Sequence, residues 1–180
     1  KVGSGSHADK TAKIMIKYEK IINKKKSNLC IVVGDVNSTI ACALTAKKLQ
    51  IKVAHVEAGL RSYDLSMPEE INRILVDRLS SLLFCPTEQA VINLEKEGLN
   101  NGIHQTGDVM LDVALYYKDK AKQKSTVLID HELNPHEYFL VTCHRAENTN
   151  NNNRLNQIFS AIAELDIKKK IIVKIFNRFF

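Results

Sequence analysis

The segment His55-Val56-Glu57-Ala58-Gly59-Leu60-Arg61, followed by Met67-Pro68-Glu69-Glu70-Ile71-Asn72-Arg73, sets acids and arginines in a turn punctuated by Gly, Ser, Asp and Pro. An apolar strand-like run precedes it and an amphipathic helical run follows. In an open α/β sheet that is where side chains meet a ligand, because strands end there and helix N-termini begin. Carboxylates able to act on carbon or oxygen, beside arginines able to hold phosphate, point to a phosphorylated sugar as substrate.

Each residue of this set also has a plainer use. In Gly34-Asp35-Val36-Asn37-Ser38-Thr39 the glycine permits a tight turn after an apolar run, and Asn37 or Ser38 can cap the next helix. Asp35 gains weight because a second acid-bearing turn follows one βα unit later, where adjacent parallel strands would bring it near Glu57. A glutamate at a buried strand end is costly without a partner, and Arg61 is either that partner or a bidentate grip on a diphosphate. Ser66-Met67-Pro68-Glu69 has capping-box spacing, and Arg73 lies four residues beyond Glu69, in reach of an ion pair. Past another apolar run, Thr142-Cys143-His144-Arg145-Ala146-Glu147-Asn148 offers an imidazole that titrates near neutrality and an arginine able to hold phosphate. His7, His104, His131 and His136 stand in polar turns and read as surface residues, whereas His55 packs in its strand.

The elements that must position these groups alternate regularly. Helical spacing covers 8–26, 37–50, 68–81, 87–98 and 108–124, with Ile71, Ile74, Leu75 and Leu79 on one face of the third. Apolar runs at 29–33, 53–56, 81–85 and 103–106 read as strands buried in a parallel sheet. This rhythm predicts an α/β, doubly wound, Rossmann-like fold. Residues 1–125 form most of a first domain, 126–137 a linker around Pro135, and 138–180 the start of a second domain, with a strand at 138–142, a helix near 154–165 and a strand at 170–176.

Composition closes other classes. The chain of 180 residues is 44% hydrophobic and has no tryptophan, and no apolar run reaches the ~18 residues of a membrane span. The charge of +6 and pI near 9.1 come mostly from Lys17–Lys26, at a helix end, and Lys168–Lys174. No aromatic residues interleave there, so the surplus is a solvated face and no nucleic acid is expected. Cys30, Cys42, Cys85 and Cys143 show neither a C-x-x-C pair nor zinc spacing, which predicts small hydrophobes in a reducing cytoplasm and no metal.

Taken in order, Gly34–Thr39, His55–Arg61, Pro68–Arg73, Pro86-Thr87-Glu88, Thr106-Gly107-Asp108-Val109 and Thr142–Asn148 resemble the UDP-N-acetylglucosamine 2-epimerase family, with Gly3–Ala8 similar to its N-terminal-domain loop. The resemblance implies a GT-B-type fold with two Rossmann-like domains and a nucleotide sugar in the cleft between them. It implies an isomerase that interconverts UDP-GlcNAc and UDP-ManNAc for surface polysaccharide precursors. UDP is eliminated to a bound 2-acetamidoglucal and added back, with no cofactor. Asp35, Glu57, Glu69 and His144 become the catalytic candidates; Arg61, Arg73, Arg145 and Asn37 become substrate-binding ones. The partners implied are a UDP-sugar and a second copy of the chain in a homodimer, with no membrane.

A full member is about twice this length, so the resemblance also implies a partial chain, incomplete at both ends. The expectation is that it carries catalytic side chains, binds UDP poorly and is inactive alone. Alternatives are a hydrolysing 2-epimerase, an epimerase of another UDP-acetamido sugar, and a non-catalytic remnant.

Overall fold

A computed structural model describes residues 2–3, 5–143, 145–164 and 170–175. The chain divides into two compact units, Lys1–Leu115 and Tyr116–Phe180.

In the first unit, α1 (His7–Lys25) is capped by Ser6, whose side chain accepts the Asp9 N–H, and it ends at Lys26 in the left-handed region at φ 50°. Four βα pairs follow: β1 (Leu29–Val33) and α2 (Asn37–Lys48), β2 (Lys52–Val56) and α3 (Pro68–Leu79), β3 (Leu82–Cys85) and α4 (Glu88–Lys96), β4 (Ile103–Gln105) and α5 (Val109–Lys124), the last running into the second unit. The strands are parallel in the order β1-β2-β3-β4, with Val33 opposite Val56 and Val56 opposite Phe84. Strand ends 33 and 56 are therefore level, which puts the turns after β1 and β2 side by side.

Sequential order with crossovers of one hand places the connecting helices on one face. The packing agrees: Cys30, Val32 and Val53 meet Ile22, Ile40, Ala43, Ala46 and Val76 in one cluster, and Leu83 and Cys85 meet Ala90 and Leu94 in another. Burying each large aliphatic side chain here contributes about 1.5–3 kcal/mol. On the opposite face, alternate residues Leu29, Ile31 and Val33 of the β1 edge are exposed. Gly59 is fixed by close approach: at φ +77° a Cβ would run into the Ala90 carbonyl oxygen.

Helix α3 inverts the expected pattern. Its buried residues are Glu70, Asn72, Val76 and Asp77, while Ile71 and Leu75 are 45% and 48% exposed. Buried charge is tolerated because every one of these polar groups is partnered; no buried side-chain N or O lacks a hydrogen bond among the described residues. Two expected caps also differ. The N-cap of α2 is Val36 and that of α3 is Met67, neither with a side-chain hydrogen bond; Ser66 bonds Asp64 instead.

The second unit holds α6 (Val127–Asp130), a single turn inside the expected linker, then β5 (Tyr138–Cys143), α7 (Ala146–Thr149), α8 (Asn152–Ala163) and β6 (Lys170–Ile175). β5 and β6 pair in parallel from Tyr138↔Lys170 to Cys143↔Ile175. Asn151 caps α8 by accepting the Arg154 N–H. His144, Lys168, Lys169 and Phe176 lie outside the described residues. No described helix is long and apolar enough to cross a membrane.

Candidate functional site

The site is built on the level ends of β1 and β2 and on the first turns of α3. After β1, Gly34 turns at φ +67°, its N–H donating to the Val56 carbonyl at 3.1 Å. After β2, Glu57 takes φ 70°, a left-handed conformation that costs a side-chain-bearing residue about 1–2 kcal/mol. It is held there from both sides, because Ala58 N–H donates to Phe84 O at 3.0 Å and Gly59 N–H donates to Asp77 Oδ2 at 3.1 Å. Its carboxylate lies over the first turn: a Cβ on Gly34 would sit 3.5 Å from Glu57 Oε2. The Glu57 carboxylate has no hydrogen-bond or ionic partner among the described residues. Such strain, retained by surrounding contacts, is typical of functional positions.

Asp35 stands beside it, half-buried. Its carboxylate pairs with Arg73 at 2.6 Å, and its carbonyl accepts from Asn72 Nδ2 at 2.7 Å. Arg73 also binds Glu70 at 2.9 Å, so the expected Glu69–Arg73 pair is replaced by an i, i+3 pair plus a tertiary one. Among the described residues, Glu69 enters neither a capping box nor an ion pair. It lies one helical turn before Asn72 and Arg73, the residues that touch Asp35, and so on the same face of α3. Asp35, Glu57 and the α3 face that carries Glu69 are thus brought together.

Arg61 is the clear correction. Its side chain is 1% exposed, bidentate to Glu97 at 2.6 and 2.8 Å and paired with Asp77 at 2.8 Å. Burial alone would push the guanidinium pKa down, but the Glu97 hydrogen bond and the Asp77 charge outweigh it and the pKa is raised. With its side chain buried and four of its five N–H donors turned to Glu97, Asp77 and the Leu60 carbonyl, this arginine is not disposed to grip a diphosphate in bidentate fashion. Nor does it partner Glu57. Its role is structural, linking the turn after β2 to α3 and α4.

Asn37, a candidate ligand of the substrate, contacts His7, with His7 Nδ1 3.2 Å from Asn37 Nδ2. Both line a cavity of about 540 Å³ with Met15, Ile40, Pro68 and Asn72, where α1, α2 and α3 begin. His7, expected as a plain surface residue, is exposed yet belongs to this wall; its place in the Gly3–Ala8 stretch was the available signal. Arg145 belongs to the second unit.

Glu70 fastens the loop between Gly59 and α3. Buried, it accepts from Ser62 N–H and Oγ–H at 2.9 Å and from Tyr63 N–H at 3.0 Å. Burial by itself would raise its pKa, yet the Ser62, Arg73 and Tyr63 bonds prevail and hold it below the usual value. A folded value below the unfolded one means the stabilisation is present above the unfolded value and lost as pH falls through the folded one. Amide exchange at Ser62 and Tyr63 is therefore expected to accelerate as pH drops below about 4.3, after correction for intrinsic rates. In Glu70→Gln this pH dependence should vanish. The four cysteines are free thiols; burial, with the Asp77 charge, pushes Cys85 up to about 11, so it is no nucleophile at neutral pH.

Comparison with known proteins matches this architecture. The family model described as UDP-N-acetylglucosamine 2-epimerase matches residues 1–178. A UDP-N-acetylglucosamine 2-epimerase homolog of Methanococcus maripaludis is 49% identical over 98% of this chain and 49% of its own. The UDP-2,3-diacetamido-2,3-dideoxy-D-glucuronate 2-epimerase of Pseudomonas aeruginosa is 41% identical over 96% of this chain and 48% of its own. The crystal structure of Methanocaldococcus jannaschii UDP-GlcNAc 2-epimerase in complex with UDP-GlcNAc and UDP superimposes with a TM-score of 0.90 at 45% identity, covering 98% of this chain and 50% of that one. The chain thus spans about half the length of the curated relatives it matches, and its α/β parallel-sheet fold is of the GT-B type. On this agreement of family model, relatives and fold, the chain belongs to the UDP-N-acetylglucosamine 2-epimerase family.

Proposed function

We propose that this chain supplies the proton-transfer and charge-stabilising groups of an enzyme that interconverts UDP-GlcNAc and UDP-ManNAc through 2-acetamidoglucal. The observation that carries the reading is Glu57: a carboxylate held in a left-handed turn, without a partner among the described residues, beside the ion-paired Asp35. No carbonyl activates the C2 proton, so positive charge must develop at C1 as the bond to UDP loosens. Asp35, fixed by Arg73, is placed to stabilise that charge. Glu57, with no competing ion pair, is the better proton acceptor. It takes the C2 proton, the C–H electron pair becomes the C1=C2 bond, and the C1–O pair leaves with UDP. Protonation of C2 on the opposite face, with UDP returning to C1, gives the epimer without net redox change. By the family resemblance alone, Glu69 and His144 join the catalytic candidates, and Asn37, Arg73 and Arg145 the substrate-binding ones. The working enzyme is a homodimer that requires no cofactor.

The test is incubation with UDP-GlcNAc in D2O, on this chain and on the longest protein its gene encodes. Deuterium at C2 of both UDP-GlcNAc and UDP-ManNAc is expected. UDP release with free ManNAc as sole product would identify a hydrolase instead, and absence of C2 exchange in both proteins would overturn the reading. The 41% identity of the Pseudomonas enzyme, equal to that of a second UDP-N-acetylglucosamine 2-epimerase from Methanococcus maripaludis, favours testing a UDP-diacetamido uronate as rival substrate.

A further inference from the structure

Beneath Glu57 lies a buried polar cluster with an unusual hydrogen-bond inventory. His55 is fully buried, with Nδ1 2.6 Å from Asp77 Oδ1 and Nε2 2.9 Å from the Gly34 carbonyl oxygen. A neutral imidazole has one N–H and one lone pair, so in this setting its lone pair would face an acceptor. The Asp77 carboxyl cannot supply the missing proton at low cost. Its other oxygen already accepts from Gly59 N–H at 3.1 Å and pairs with Arg61 at 2.8 Å. The Gly34 carbonyl has no proton to give.

We propose that His55 is an imidazolium in the native state and that, clamped between Asp77 and Gly34, it is a positioning residue for Glu57. This rests on the epimerase reading only for what Glu57 does. The groups around the ring balance the charge. Asp77 faces it from α3, Arg61 from the turn after β2 shares Asp77, and Glu97 from the end of α4 binds Arg61. Arg78 donates to the Glu97 carbonyl, and Cys85 on β3, near Asp77, stays a neutral thiol. Two cations, His55 and Arg61, thus meet two carboxylates, Asp77 and Glu97. The clamp reaches both flanks of Glu57. Nε2–H fixes Gly34, over which the carboxylate lies, and Asp77 fixes the Gly59 amide two residues beyond. Glu57 then cannot leave its left-handed backbone conformation without straining the bonded Gly34 and Gly59 on its flanks.

Nitrogen-15 labelling of histidine in the wild-type chain tests the charge directly. One-bond N–H correlations at both His55 ring nitrogens are expected at pH 7.5; a single N–H with an unprotonated partner nitrogen would overturn the proposal. Asp77→Asn and His55→Gln test positioning. In each, Gly59 amide exchange should speed up about 10-fold or more while Leu94 in α4 keeps its protection. In the longest protein the gene encodes, kcat for UDP-GlcNAc should fall roughly 10- to 100-fold with little change in KM. Unchanged kcat in a folded variant would refute the positioning role, because a merely structural residue would lower melting temperature and leave turnover of the folded fraction intact. If the wild type does not turn over, the epimerase reading falls, while the ring spectrum and the Gly59 exchange still decide the clamp.

Discussion

Asp77→Ala is expected to lower Tm by on the order of 10 °C, the largest stability loss from one side chain outside the apolar core. Alanine at 77 would leave the His55 ring and the Arg61 guanidinium, both buried, without the anion they share, and the Gly59 N–H without an acceptor. Breaking a buried pair by removing one partner costs about 3–5 kcal/mol, since the surviving charge cannot reach water. That is a large part of the roughly 5–15 kcal/mol that holds a domain folded. Arg61 keeps Glu97, so the penalty falls mainly on the His55 ring, whose Nδ1 loses its partner. Asp77→Asn should cost less, because an amide oxygen in the Oδ2 position still accepts from Gly59 and Arg61. Thermal unfolding followed by circular dichroism would check the order wild type, Asn, Ala; an alanine variant melting within about 2 °C of wild type would show that the cluster is not the ion-paired unit described.

The same residue shows what could be read without coordinates. Strands 29–33 and 53–56 were legible as short, largely apolar runs, although the exposed Leu29, Ile31 and Val33 leave one face of β1 open, and the regular βα rhythm then indicated a parallel sheet. The place of the site was legible too, since Gly34 and Glu57 each follow such a run. Asp77 and Glu70 were not. In a helix containing Ile71, Ile74, Leu75 and Leu79, the periodic signal assigns charged positions to solvent, whereas here the charged face is the buried one. Periodicity detects the free-energy gain of apolar burial but not charge neutralised by partners far along the chain. His55 with Asp77 is 22 residues apart and Arg61 with Glu97 is 36 apart. For the same reason Arg61 looked available to phosphate: its spacing from Glu57 was visible, and its commitment to Asp77 and Glu97 was a tertiary fact. Local signals placed the start of α3 correctly at Pro68 but misread its cap, since Ser66 found Asp64 two residues away and no side chain caps the helix.

The strongest effect on turnover is expected at Glu57. Glu57→Gln should reduce kcat by about 10²- to 10⁴-fold, the usual loss when a positioned proton acceptor is removed. The amide is nearly isosteric, and the backbone bonds from Gly34 to Val56, Ala58 to Phe84 and Gly59 to Asp77 involve no Glu57 side-chain atom. The variant should therefore keep the wild-type Tm and bind UDP-GlcNAc with a similar KM. Glu57→Gly provides the complementary test. Glycine relieves the φ 70° conformation, offsetting much of the chain entropy it adds, so it should fold about as stably as wild type and be equally inactive. The two variants together separate backbone geometry from carboxylate chemistry. The readout is deuterium incorporation at C2 with UDP-GlcNAc in D2O, beside thermal unfolding of the same samples. If Glu57→Gln exchanges the C2 proton at the wild-type rate, Glu57 is not the proton acceptor, and Glu69, on the adjoining face of α3 and likewise outside any ion pair among the described residues, takes its place as the group to replace.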